Sequence, residues 1–76
     1  QEAVLIVDAN NYILLANQAL QAMFPRATNI IGNRLELVLQ SAVFLNQVET
    51  VRRGEAKPQQ EIEFVDGTKS LWMEVT

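Results

Sequence analysis

Residues 60–75, reading QEIEFVDGTKSLWMEV, decide how the rest of this chain is read. Two runs with alternating apolar and polar residues flank Asp66-Gly67, a dipeptide suited to the two-residue type I′ turn of a β-hairpin. With that loop Val65 faces Thr68, Phe64 faces Lys69, Ile62 faces Leu71 and Gln60 faces Met73. Side chains alternate between the faces of a strand, so Ile62, Phe64, Leu71 and Met73 share one face. Glu61, Glu63, Ser70 and Trp72 share the other. The first face is apolar, and a slip of one residue would destroy that agreement.

Upstream of this hairpin the period changes to that of a helix. Phe44, Val48 and Val51 recur at i, i+4 and i+7 from about Ser41 onward, with Leu45 widening the stripe. Glu49 and Arg53 are spaced for an i, i+4 pair. Arg52 and Arg53 suit the negative end of the helix dipole, Gly54 suits the position just past it, and Lys57-Pro58 lead away. Residues 26–40 read as a loop with short helical turns around Leu35, Val38 and Leu39. Gly32 supplies a left-handed corner within it.

The opening residues form a second ribbon. Ala3-Val-Leu-Ile-Val7 is a short apolar run, predicted to be a central strand buried on both faces. Asp8-Ala-Asn-Asn11 carries turn chemistry, since Asx side chains bond their own backbone and Asn tolerates positive φ. Tyr12–Ala16 is a second strand. Asn17 then has the preference of a helix N-cap, and Leu20, Met23 and Phe24 give the short helix an apolar face that Pro25 ends. The predicted order is β-β-α, short helices, α-β-β. That is an α+β fold with an antiparallel sheet and helices on one face.

Composition narrows the function. At 76 residues the chain holds one domain, with 49% hydrophobic and 20% charged residues and a net charge of −3. The six basic residues form no stripe that would neutralise phosphates, so no nucleic-acid partner is expected. Cysteine and histidine are both absent, which removes disulfides, Cys/His metal sites, thiol nucleophiles and Ser-His pairs. No metal site is expected. No apolar run reaches the ~20 residues that cross a bilayer, so no membrane contact by this segment is expected. The absence of a disulfide framework in so small a chain points to the cytoplasm. Starting at Gln1, the sequence reads as a piece of a longer protein.

The segment AVLIVDANNYILLANQALQAMF, residues 3–24, resembles the opening of a PAS domain. Asp8, Ile13, Asn17, Ala19 and Leu20 fall where that pattern wants them. IIGNRL around Gly32 is similar to the family's mid-domain glycine segment, and VDGTKSLWMEVT, residues 65–76, to its strand-turn-strand with an aromatic in the second strand. Asn11 stands where many members have Gly. The resemblance covers nearly the whole chain and implies one PAS-like domain over residues 1–76. Four strands are present where the family has five. The fifth normally lies between the first and the fourth, so two ribbons with unpaired interior edges are expected, the C-terminal strand being cut off, disordered or supplied by another chain.

The resemblance also implies a role. PAS domains act as sensing and dimerisation modules of signalling proteins, and this one is expected in a sensor histidine kinase, with a cyclic-dinucleotide enzyme or a transcriptional regulator as other settings. It would form a homodimer and relay ligand or partner state to an output domain. Members bind haem, flavin, a thioester-linked pigment or metabolites between sheet and helices. Lacking His and Cys, this chain has neither the usual haem ligand nor a site for a cysteinyl-flavin or thioester adduct. Non-covalent flavin, in a redox sensor, or a small metabolite stays open, as does a purely structural interaction domain without ligand. The candidate lining is Phe44, Val48, Val51, Ile62, Phe64, Leu71 and Met73, and core packing alone also accounts for those positions.

Trp72, with Glu61 and Glu63 beside it, is the candidate interaction surface, a large aromatic on an otherwise polar face. Asp8, Asn17, Gly32, Asp66 and Gly67 are read as turn and cap residues. No nucleophile-base set and no phosphate loop is written in the chain, so it is not expected to be an enzyme itself.

Overall fold

The computed structural model describes residues 2–64 and 67–76. Seven elements follow one another: β1 (Ala3–Val7), β2 (Ile13–Ala16), α1 (Gln18–Ala22), α2 (Leu35–Val38), α3 (Ala42–Arg52), β3 (Gln59–Phe64) and β4 (Gly67–Val75). They make a small α+β domain with a four-stranded sheet in the order β2-β1-β4-β3. Helices cover one face of the sheet.

The expected gap between the two ribbons is closed. β1 pairs directly with β4, in parallel, with Ala3 opposite Leu71, Leu5 opposite Met73 and Val7 opposite Val75. The sheet is therefore mixed rather than antiparallel, and the expectation of two unjoined ribbons with open interior edges is corrected. Backbone donors and acceptors along the free side of β1 need partners, and the matching edge of β4 satisfies them within the chain. The parallel sense follows from the path, because the helices return the chain to β3 running opposite to β1.

The β3–β4 register also departs from expectation, by two residues. Ile62 pairs with Lys69 rather than Leu71, and Gln60 with Leu71 rather than Met73. Phe64 pairs with Gly67, which opens β4 with φ +123° instead of closing a turn. Val65 and Asp66, the other part of the expected turn, lie outside the described residues. Alternation of apolar and polar residues fixes the parity of pairing but not its register, so a shift of two leaves Ile62, Leu71 and Met73 on their expected face.

The core lies between the inner sheet face and the helices. Ala3, Leu5, Val7, Leu71, Met73 and Ile62 project from the sheet into it. Leu20, Leu35, Leu39, Phe44 and Val48 meet them from the helical layer. Phe44 is fully buried, and its ring meets Phe24 edge-to-face at 5.0 Å and 87°. An aromatic pair of this geometry contributes beyond simple area burial.

Polar side chains set the ends of the elements. Asn17 caps α1 by accepting from the Leu20 amide at 3.0 Å, and the same oxygen accepts from the Val4 amide at 2.9 Å. Its Nδ2 donates to the Glu2 carbonyl at 2.8 Å, so one amide side chain ties a helix start to the start of β1. α1 ends at Ala22, and Met23 and Phe24 lie just past it while still packing on the core. Ser41 caps α3 by accepting from the Phe44 amide at 3.3 Å.

At the other end of α3, Gly54 has φ +73°. The Gly54 amide donates to Val51 and the Glu55 amide to Thr50, which forms a Schellman motif. Gly32, at φ +85°, makes the left-handed corner expected of it, and Asn11 at φ +67° takes the conformation a glycine would. The expected Glu49–Arg53 pair is replaced: Glu49 pairs with Arg52 at 3.0 Å, and Arg53 with Glu55 at 2.9 Å.

Candidate functional site

The outer face of the sheet is the first surface with functional character. In β1 the inward residues Ala3, Leu5 and Val7 are buried, whereas Val4 and Ile6 face outward and are half-buried. The prediction that β1 is covered on both faces is thus corrected to cover on one. β2 adds to the outer side through a bulge. Leu15 pairs with Ile6 and Ile13 with Val7, leaving Leu14 as an extra residue. Ile13 and Ala16 can then both turn inward, while Leu14 and Leu15 remain 51% and 40% exposed.

Trp72 continues this apolar strip. It lies beside Val4 on one side and Gln59 on the other, on the face opposite Leu71 and Met73, and is half-buried. The sequence places it beside Glu61 and Glu63, but the register puts Glu61 opposite Ser70 and Glu63 opposite Thr68, farther along the hairpin. Both glutamates are exposed. Glu2 joins this acidic end: its carboxylate accepts from Ser70 Oγ at 2.9 Å and Gln59 Nε2 at 3.0 Å. The face therefore grades from apolar at β2 and β1 to acidic along β3. Sequence reading identified Trp72 but missed Val4, Ile6, Leu14 and Leu15. The adjacent pair Leu14-Leu15 was the available signal, since neighbours on a regular strand cannot both point inward.

The candidate pocket residues have a different setting. Phe44, Val48, Ile62, Leu71 and Met73 are buried and belong to one continuous core, with Val51 packed against it. The side chain of Phe64 lies outside the described residues. Simple packing explains the burial of these positions.

Space for a small molecule occurs elsewhere. A cleft of about 570 Å³ opens between the segment after α1 and the end of α2. Met23, Phe24, Ala27 and Val38 line it and also pack against the core, forming its floor. Leu37, 66% exposed, stands at its rim. Arg26, Thr28 and Gln40 supply the polar part of the lining. No motif in the sequence announced this cleft, because its two walls come from segments with weak periodicity.

The turn and cap residues act locally. Asp8 Oδ1 accepts from the amides of Asn10 and Tyr12 at 2.8 and 2.9 Å, building an Asx turn. Arg52 reaches across from α3 and binds the outside of that turn, donating to the Ala9 carbonyl at 3.1 Å and to Asn11 Oδ1. Among the described residues no group of three or more Asp and Glu side chains is placed to hold a metal ion. No helix of the described residues is long and apolar enough to cross a membrane. No family model, curated protein or solved structure matches the chain.

Proposed function

We propose that this chain is the sensing and dimerisation module of a cytoplasmic signal-transduction protein of the PAS type, with a sensor histidine kinase as its setting. One observation carries the reading. The outer sheet face bears Val4, Ile6, Leu14, Leu15 and Trp72, side chains that a sheet solvated on that side would not gather together. A second copy laid on this face would cover the strip, and the acidic end along β3 would remain at the rim. Ligand or partner binding would favour one packing of the two sheets, and the output domain would follow that population.

Sedimentation equilibrium of the 76-residue chain tests the idea. The unsubstituted protein is expected to dimerise, and Trp72→Ala to raise the dimer Kd roughly thirtyfold, the effect of removing a buried aromatic anchor. Circular dichroism verifies that the variant remains folded. A monomer at every concentration, or a dimer indifferent to Trp72, would reject the reading.

A further inference from the structure

We propose that the cleft between residues 23–28 and 37–40 is a binding site for a small organic carboxylate with an aromatic or branched apolar body. The proposal goes beyond the dimerisation reading, because the cleft lies away from the outer sheet face and does not need a second copy. Its volume, about 570 Å³, falls in the range that small-molecule sites occupy, roughly 300–1,000 Å³. The composition of its wall defines the ligand class.

An apolar floor comes first. Met23, Phe24, Ala27 and Val38 offer carbon surface that is held in place from behind by the core. Phe24 is fixed further by its edge-to-face contact with buried Phe44. An aromatic or branched body set on this floor would also cover part of Leu37, whose exposure otherwise leaves a large apolar side chain in water.

Charge decides the other half of the ligand. Among the described residues, Arg26 is the one charged residue lining the cleft, on a chain whose net charge is −3. It forms no ion pair with any described residue. Glu36, the acidic residue of α2, is absent from the cleft lining and is paired with Arg34 at 3.2 Å. A guanidinium presents a planar fork that matches a carboxylate with two parallel hydrogen bonds. Thr28 and Gln40 add a hydroxyl and an amide to the same lining. A cation would meet Arg26 with repulsion, and a neutral body would leave its fork unused.

Titration of the isotopically labelled 76-residue chain with phenylacetate, followed by amide chemical shifts, is the test. Saturable shifts are expected in residues 23–28 and 37–40. Phenylacetamide, matched in shape but uncharged, is expected to bind roughly ten- to a hundredfold more weakly, the loss of one charge-assisted contact. Arg26→Gln should reduce phenylacetate to the level of phenylacetamide, while Thr28→Trp, at an exposed position, should block both. Equal affinity for the two probes, indifference to Arg26→Gln, shifts centred elsewhere, or no saturable shift would each overturn the proposal. Dimerisation is measured separately, so failure here leaves the sheet-face reading standing.

Discussion

Around the β1–β2 turn, polar side chains fix the backbone; along the two walls of the cleft, residues 23–28 and 37–40, apolar side chains anchor it to the core. Asp8, Asn17 and Arg52 together bind two strands, one helix start and one helix end through hydrogen bonds to main-chain groups. Long-range main-chain bonds hold the segment around the cleft at residues 32–35, which pair with residues 11–13. Otherwise it rests on Leu35, Leu39 and Ile30, which reach into the core, while Ile31 and Leu37 stay exposed. Hydrogen bonds specify one geometry because distance and angle must both be met. Contacts between apolar side chains tolerate small displacements more readily. The first region is thus built to hold shape, and the second leaves an indentation whose floor is firm and whose rim is open.

The largest expected effect comes from the buried residue that backs the floor of the cleft. Phe44→Ala removes a fully buried ring and the partner of Phe24, and should cost about 3–5 kcal/mol in chemical denaturation. Domains of this kind hold only roughly 0.05–0.15 kcal/mol per residue, so the loss takes a large share of the total stability. A loss below about 1.5 kcal/mol would show that the core closes around the missing ring.

Asn17 comes next. Asn17→Ala removes a helix cap and leaves the Val4 amide without its acceptor, and should cost about 2 kcal/mol. Asn17→Asp keeps the accepting oxygen and loses only the donation to Glu2, so it should fall between wild type and Ala. If Asp and Ala are equally destabilised, the bond to Glu2 matters more than the cap, and the account of this corner fails. The smallest effect is expected at the rim of the cleft. Leu37→Ser, at a side chain 66% exposed, should change stability by less than about 0.5 kcal/mol. A larger loss would mean that the rim is packed and the contrast between the regions is overdrawn.

Local chemistry made the first-order features legible. The two ribbons, the inward faces of β3 and β4, the cap at Asn17, and the left-handed positions at Gly32 and Gly54 all follow from patterns a few residues long. What stayed hidden depends on relations that such patterns do not encode. A two-residue shift in β3 against β4 preserves the same alternation, and nothing in residues 3–7 states that their neighbour is residues 71–75. Arg52 bonds Glu49 one turn back on its own helix, but its further reach to the Asp8–Asn11 turn exists only once α3 is docked. The apolar strip was half legible, through Trp72 alone. The cleft was not legible, because its walls meet only in three dimensions.

The parallel alignment of β1 with β4 also bears on how the molecule forms. Each ribbon can zip up from its own turn, but the seam between them unites segments from opposite ends of the sequence. Closing so long a loop has an entropic cost before any contact across the seam rewards it. During synthesis the first ribbon must therefore wait, with one side of β1 uncovered, until the last strand emerges from the ribosome.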